Sequence, residues 1–572
     1  MKMPHRNQVL VIALLVAAAA VAYFPAFDAG YNFDDRPLLQ NNPQVKSLKN
    51  VPHFFASKDA RVSWTRGNLK NDTYRPLQSV SFALSYSLWG DRPAMFHREN
   101  ILLHAVNGVL LYFLLIALLD STGAALLAAL LFVIHPVQVE AVTYLSERAS
   151  LLSMTFFLIS ICAFLASQRR ETWFNGYTAI SLAAFALSLL TKETAVILPV
   201  VLVLYCICFR DREGPAIKTV LARTWPYFLA VLIYIGVRTA SLGQIAQTEA
   251  LPLWQRLLIM TEVFSRYLGL TLFPRHLSFF PEINTTPFAL KPAYIFYGAV
   301  LAAFIGLTVW LLGKNRRMAF FPAAYLVAFL PVSNIVPIKT FMQERFLYFP
   351  NAFMFPLVAF YVTEGLGRLG QRHGAIARYS AMAAAGLALV ALTARTHVRN
   401  RDWQSQETLM LNEVKVHPGN GKAYYDLAVE RFSRRDYDGA RAYAEQALEH
   451  TTHNIHLAPI HNLMGKLDDI AGRDESAVQH YRMAIQMDPG YPYPYNSMGV
   501  IYARHGDFKQ AIPFLEKAVE LNPSSAAFYT NLGNAYFRNG DRDQALAAWN
   551  RSLAINPNQP DLRQAIRESG GQ

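Results

Sequence analysis

The sequence has few charged residues and very few cysteines, and both shortages limit the class of protein to which it can belong. Only 16% of the 572 residues are charged, whereas 53% are hydrophobic. That composition is too apolar for a soluble multidomain protein and too polar for a chain that lies in a membrane throughout. The three cysteines, Cys162, Cys206 and Cys208, all fall inside apolar segments, without the spacing of a disulfide framework or a zinc site. We interpret them as packing residues.

The formal net charge of +13 does not indicate nucleic-acid binding. The Lys and Arg residues lie largely in short loops between apolar runs, where membrane topology places them. This distribution excludes nucleic acid as the partner and predicts a lipid bilayer instead.

Residues 1–396 carry repeated apolar runs and predict eleven transmembrane helices, each of about 20 residues or somewhat fewer. We place them near 9–24, 98–118, 122–136, 150–167, 174–190, 193–209, 225–240, 294–313, 319–332, 346–366 and 377–396. The first is interpreted as a retained signal-anchor helix. The basic loops alternate, so all of them are cytoplasmic if the N-terminus is inside and if the amphipathic stretch 255–273 does not cross.

After the apolar half the sequence repeats with a period of 34 residues, apart from about three extra residues that follow a first copy beginning at Pro418. Gly465, Gly499 and Gly533 follow this period, as do the alanines and prolines at 477, 511 and 545 and at 489, 523 and 557. Small residues at this period are typical of tetratricopeptide repeats, in which paired helices pack closely. We predict a linker over 397–417, four repeats over 418–557, and a capping helix and tail over 558–572, all extracytoplasmic. Candidate groove residues are Asn462, Tyr493, Asn496 and Asn534, and the alternative for each is an ordinary surface or consensus position.

The predicted first outer loop, 25–97, contains two adjacent carboxylates, Asp34 and Asp35. Neighbouring side chains point in different directions, so we expect the two acids to have different roles. The alternative is an ordinary Asp-rich turn closed by Arg36-Pro37.

Further ionisable residues interrupt or begin apolar segments on the predicted outer side of the membrane. Such residues are costly in a membrane and serve pairing or function. For Lys192-Glu193 and for Glu344-Arg345 the alternatives are a structural ion pair or a polar cavity that binds an anionic group. A lone histidine such as His135 is more often structural, and no metal-ligand motif with tight spacing occurs.

Taken in order, these stretches resemble the transmembrane-and-tetratricopeptide O-mannosyltransferases, within the lipid-donor (GT-C) glycosyltransferases. The resemblance rests on Phe33-Asp34-Asp35, Arg75-Pro76-Leu77, Phe96-His97-Arg98-Glu99-Asn100, His135-Pro136 with Glu140-Ala141-Val142, Lys192-Glu193, Glu344-Arg345-Phe346-Leu347-Tyr348 and the repeats. Ser146-Glu147-Arg148 departs from the family's Gly-Arg-containing pattern, which leaves the details of the donor site open.

The resemblance implies an all-α fold, with a GT-C-like membrane domain of about eleven helices over residues 1–396 followed by an extracytoplasmic tetratricopeptide solenoid. It also implies a polyprenyl- or dolichyl-phosphate sugar donor, with mannose as the favoured sugar, and Ser or Thr hydroxyl acceptors on exported proteins. The configuration at the anomeric carbon would be inverted, and the repeats would hold the acceptor. No cofactor is expected, and metal-independent chemistry is favoured over a divalent ion.

The chemistry then assigns candidate roles. An alcohol needs a base, for which Asp34 is the first candidate and Asp35 the second. A leaving phosphate needs positive charge around it. The candidates for phosphate binding are Arg75, His135, Arg148, Lys192 and Arg345, with His97, Glu140, Glu193 and Glu344 in support.

Three other functions stay open at this point. A related transferase could act on a glycolipid or lipid A, although it would not need the repeats. A non-enzymatic scaffold for envelope assembly would not need eleven spans. A transporter would show Gly/Pro-broken spans in matching halves, which the sequence lacks. We expect a bacterial inner-membrane protein with a cytoplasmic N-terminus and periplasmic repeats, the alternative being the endoplasmic reticulum membrane with lumenal repeats.

Overall fold

A computed structural model describes residues 5–56, 74–170, 172, 174–209, 217–242, 251–281, 283, 291–338, 340–451 and 454–569. The described residues form helices and turns, without a strand. The chain divides into a first compact unit that ends at Leu409 and a second that begins at Met410. Parts of the predicted first outer loop (57–73) and tail (570–572) lie outside the described residues.

The first unit is built from long apolar helices joined by short helical turns. Its helices are α1 His5–Ala22, α2 Val51–Ala56, α3 Pro76–Trp89, α4 Pro93–Leu119, α5 Thr122–Ile134, α6 Val139–Thr143, α7 Arg148–Ser167, α8 Gly176–Thr191, α9 Leu198–Cys208, α10 Ile217–Leu242, α11 Leu253–Leu272, α12 Ala293–Lys314, α13 Arg316–Phe329 and α14 Tyr348–Asp402, followed by α15 Gln406–Val416.

Each of the eleven predicted spans coincides with one of these apolar helices, but the last two share α14. That helix is broken at Gly374, whose φ of 85° is left-handed and suits a residue without a Cβ. By length and composition, five helices can cross a membrane, or six if the bent pair Thr122–Ile134 and Pro136–Thr143 is one span. Several other apolar helices are shorter, so the count of eleven stays a prediction.

The end of α14 belongs to the first unit. Residues 397–402, predicted as part of a linker, continue the helix, and Arg399, Asn400 and the following Trp403 are buried. The Trp403 carbonyl accepts a hydrogen bond from the Asn32 side chain at 2.8 Å. This contact fixes the loop that carries the two adjacent carboxylates.

The second unit is a series of helix pairs. They are α16 Gly421–Ser433 with α17 Tyr437–Glu449, α18 Asn454–Ile470 with α19 Asp474–Met487, α20 Pro492–Arg504 with α21 Phe508–Leu521, and α22 Ala526–Asn539 with α23 Arg542–Ile555, capped by α24 Pro560–Glu568. These pairs coincide with the four predicted repeats and the capping helix.

The periodic small residues lie where paired helices meet. A Cβ added at Gly465 would come within 2.6 Å of the Tyr481 ring, and one at Gly499 within 2.5 Å of Leu515. Ala477 and Ala511 are completely buried. The 34-residue period therefore reports close helix packing.

Candidate active site

The loop after α1 presents its two carboxylates in opposite ways. Asp34 is exposed, whereas Asp35 is completely buried. The residue before them, Phe33, has a φ of 39°, which is left-handed and uncommon for a residue with a bulky side chain. The predicted difference in role between the two acids is thus matched by a difference in environment.

Asp35 fastens the loop. One of its carboxylate oxygens accepts the backbone N–H of Asn32 at 3.1 Å, and the other accepts the N–H of Ser146 at 2.8 Å. Burial raises the pKa of Asp35 well above its usual range, and these backbone hydrogen bonds act against that rise. The side chain has no contact with solvent, so it holds the loop against the turn Leu145–Glu147.

Asp34 is positioned through its backbone. Its N–H donates to the Tyr144 hydroxyl at 3.1 Å, which leaves the carboxylate itself in the open. Tyr144 is buried, with its ring packed against Phe279 and Trp403 at centroid separations of 5.8 and 5.5 Å. The Arg345 guanidinium lies 5.8 Å from the centre of the same ring.

Arg345 begins a network of ion pairs. It contacts Glu140 through a guanidinium nitrogen, and its backbone N–H donates to the other Glu140 oxygen at 3.0 Å. Its Nε lies 3.2 Å from Glu147. Glu140 is buried, whereas the Arg345 side chain remains 17% exposed. A helical turn, Glu344–Leu347, positions this arginine at the start of α14.

Glu147 joins Arg345 to a second cation. Its Oε2 accepts hydrogen bonds from Lys192 Nζ and from Ser150 Oγ, each at 2.6 Å. Lys192 also donates to Ser150 Oγ at 2.6 Å. Glu147 therefore bridges Lys192 and Arg345, which are far apart in the sequence.

A third pair completes the network. Arg75 donates from Nε and Nη2 to the two oxygens of Glu193, at 3.2 and 2.7 Å. The side chains of Arg75 and Glu193 are 16% and 31% exposed, compared with 7% for Lys192. Three cations and three carboxylates thus balance, and among the cations Arg75 and Arg345 are more exposed than Lys192.

Arg148, a predicted phosphate ligand, is enclosed by protein. It donates to the Asn100 and Ser85 side chains at 2.8 and 2.6 Å and to the Phe96 carbonyl at 2.9 Å. Its guanidinium is also 3.0 Å from Glu99 and almost fully buried. These contacts use the donors that a phosphate would need.

The remaining predicted residues of the first unit are also buried. His135 accepts the Val137 N–H at 3.3 Å, and its ring lies 5.0 Å from Phe355. His97 lies 3.2 Å from the Gly30 carbonyl oxygen. Glu344 accepts the Ser278 N–H, and none of these three side chains is exposed by more than 2%.

The four groove candidates lie on the first helices of three repeats. Asn496 accepts a hydrogen bond from Asn531 at 2.8 Å, and Asn534 accepts one from the Trp549 indole at 3.1 Å. Asn462 is buried, whereas Tyr493 is 44% exposed. Lys466 was not among the groove candidates, yet its ammonium lies 5.9 Å from the Tyr493 ring centre. Burial lowers the pKa of this lysine.

Two protein-family models match the chain. A dolichyl-phosphate-mannose-protein mannosyltransferase model matches residues 76–240, and a tetratricopeptide repeat model matches residues 502–568. Protein O-mannosyl-transferase Tmtc3 of Drosophila melanogaster is 25% identical over 580 residues, covering 86% of this chain and 60% of the relative. TMTC3 of Homo sapiens is 24% identical, covering 84% and 55%.

The chain resembles the transmembrane-and-tetratricopeptide O-mannosyltransferases. The resemblance predicted from the sequence is confirmed, and it extends over both units. The chain spans only 60% and 55% of the length of these two O-mannosyltransferases. Among solved structures, the tetratricopeptide protein YrrB aligns with 28% of this chain and 82% of its own, at 17% identity and a TM-score of 0.24.

Compared with the motifs that carry the O-mannosyltransferase resemblance, the structure adds residues that sequence reasoning left out. The sequence motifs assigned no role to Glu147 or Tyr144, although both lie between the candidates Glu140 and Arg148. The departure from the family pattern at 146–148 was the available signal for Glu147. No signal marked Phe279, which reaches the Asp34 loop from a distant segment. Within the described residues, no group of three or more His, Cys, Asp or Glu could hold a metal ion.

Proposed function

We propose that this chain is a membrane glycosyltransferase. It moves a sugar, with mannose as the favoured candidate, from a polyprenyl or dolichyl phosphate to Ser or Thr hydroxyls of exported proteins. The observation that carries the proposal is the open Asp34 carboxylate, tied through Tyr144 to the network that contains Arg345. The match of residues 76–240 to a mannosyltransferase model supports the choice of sugar and donor class.

Asp34 is the proposed base. As the acceptor oxygen forms a bond to the anomeric carbon, its proton passes to the Asp34 carboxylate. The bond between that carbon and the phosphate oxygen breaks, and the lipid phosphate leaves with the electron pair. A single displacement of this kind inverts the configuration at the anomeric carbon.

Arg75, Lys192 and Arg345 are the proposed phosphate ligands. Fixed cations in a poorly solvated site stabilise charge that develops on a leaving group. The phosphate would share these cations with Glu193, Glu147 and Glu140, which keep them in place before the donor arrives. We assign Arg148 and His135 to support rather than to phosphate contact, because their polar groups are already bonded within the protein.

The repeats are the proposed acceptor-binding unit, through Tyr493, Asn496 and Asn534 together with the buried Asn462. Holding the acceptor near the donor supplies rate through proximity. We propose that the repeats lie on the extracytoplasmic side, in the periplasm if the protein is bacterial. Three protein cations can meet the charge on the leaving phosphate, so we also propose transfer without a divalent ion.

A transfer assay tests this proposal. Purified protein is reconstituted with polyprenyl-phosphate mannose carrying a radiolabel, extracytoplasmic protein extract and lipid extract, with and without EDTA. We expect label in protein, released by alkaline β-elimination as expected for an O-linked sugar, and unchanged by EDTA. Label in lipid alone would favour a glycolipid acceptor, and no transfer to either fraction would contradict the enzyme.

A further inference from the structure

Phe33 holds an uncommon backbone conformation next to the proposed base. Its φ of 39° is left-handed, a region that bulky side chains rarely adopt and that often marks functional sites. The ring stacks on Phe279 at a centroid separation of 4.9 Å and an interplanar angle of 21°.

Phe33 belongs to a group of three aromatic rings that reaches the surface. Phe280 lies edge-on to Phe33 at 6.0 Å and 4.7 Å from Phe279. Phe279 is buried and packs on Tyr144, which accepts the Asp34 N–H. Phe33 and Phe280 are partly exposed to solvent, whereas Phe279 is buried, and Phe33 directly precedes Asp34.

We propose that Phe33 and Phe280 form a stacking surface for the sugar ring of the lipid-linked donor, an inference that rests on the proposed function. One face of a hexose ring presents C–H groups, whose partial positive charge suits the negative face of an aromatic ring. A base must lie within reach of the acceptor hydroxyl at the anomeric carbon. A surface adjacent to Asp34 satisfies that requirement for the sugar it holds.

Two contributions of Phe33 can be separated by substitution. Phe33→Gly tolerates the positive φ but removes the ring, whereas Phe33→Tyr keeps an aromatic ring. Phe280 is not among the positive-φ residues of the described chain, so Phe280→Leu removes aromatic surface without adding backbone strain. If Phe33 serves only to shape the loop, Phe33→Gly will bind donor like the wild type.

The test measures equilibrium binding of two lipids to full-length protein in nanodiscs without acceptor. One is polyprenyl-phosphate mannose, and the other is polyprenyl phosphate, which lacks the sugar. Loss of one aromatic contact should raise the Kd for the mannose lipid about tenfold in Phe280→Leu and in Phe33→Gly. We expect the Kd for polyprenyl phosphate to stay unchanged, and Phe33→Tyr to bind both lipids like the wild type.

Three results overturn the stacking surface. These are equal affinity of the wild type for both lipids, a parallel loss of both affinities in the variants, or unchanged affinities in Phe280→Leu and Phe33→Gly. Sugar-dependent binding that these variants lose, in a protein that transfers no sugar, would uphold the surface and contradict the proposed enzyme. If the wild type transfers sugar but the variants keep both affinities, the result would uphold the proposed enzyme and contradict the stacking surface.

Discussion

The backbone N–H of Asp34 donates to the hydroxyl of Tyr144 at 3.1 Å, although the two residues are 110 positions apart. The same tyrosine ring faces the Arg345 guanidinium. One buried side chain thus fixes where the proposed base stands relative to a proposed phosphate ligand.

Tyr144→Phe keeps the ring but removes the hydrogen-bond acceptor for the Asp34 N–H. We expect kcat to fall about tenfold with little change in the KM for donor, because the base loses its position while the cations remain. Steady-state transfer kinetics checks this prediction. Tyr177→Phe is the control, since that tyrosine's ring contacts Arg170, which follows the C-terminal end of α7. An unchanged kcat in Tyr144→Phe would show that the hydroxyl does not position Asp34.

Arg75 and Arg148 should respond differently to loss of charge. Arg75→Gln removes a partly open cation, so we expect the KM for donor to rise about tenfold while the protein stays folded. Arg148→Gln removes a buried cation that bonds Asn100, Ser85 and the partly exposed Glu99, which should destabilise the protein by about 3 kcal/mol. Thermal unfolding in detergent, measured beside transfer kinetics, separates the two effects. The assignment fails if Arg148→Gln is stable and only its donor KM rises.

Asp468 should make the repeats sensitive to acid. It accepts hydrogen bonds from Arg441, Arg473 and Ser476, at 2.6 Å for Arg441 and Ser476. Burial of this carboxyl opposes the effect, but these partners lower its pKa in the folded state. Stability from the ionised group is therefore present above its unfolded pKa of about 3.9 and is lost as the pH falls through the lower folded value.

Hydrogen exchange of α18 and α19 in the full chain checks that dependence. We expect protection to drop below about pH 4 in the wild type. Asp468→Asn should lose about 1–3 kcal/mol of protection already at neutral pH. Asp436→Asn, which removes a more exposed carboxylate paired with Arg431, is the control. Equal acid sensitivity in wild type and Asp468→Asn would assign the effect to other groups.

Tyr493 tests whether the repeats serve the acceptor. Tyr493→Ala removes exposed aromatic surface beside Lys466, so transfer to protein should fall several-fold while transfer to a short Ser/Thr peptide is unchanged. Tyr437→Ala alters a similarly exposed tyrosine on a second helix and should transfer normally. Parallel losses for protein and peptide acceptors would mean that the substitution acts elsewhere.

The sequence allowed prediction of features that depend on local pattern. Long apolar runs predicted the helices of the first unit. The 34-residue period predicted the helix pairs, because small residues such as Gly465 and Gly499 recur where two paired helices pack closely. Adjacency alone indicated that Asp34 and Asp35 differ in role.

Features that depend on distant partners could not be predicted. Asp35 is the buried acid, and the backbone N–H that bonds it belongs to Ser146, 111 positions away. Arg148 was expected to bind phosphate, yet Asn100 and Ser85 from other helices accept its hydrogen bonds. Phe33 likewise stacks on Phe279, which no local pattern connects to it.

The most direct measurement compares sugar transfer by Asp34→Asn with that by Asp28→Asn. Asp28 is an exposed carboxylate in the same loop, and its variant controls for the loss of one negative charge there. We expect Asp34→Asn to lose transfer by about 100-fold or more while binding donor normally, and Asp28→Asn to transfer like the wild type. Wild-type transfer by Asp34→Asn would contradict the account, because the second candidate base, Asp35, is buried and bonded within the protein.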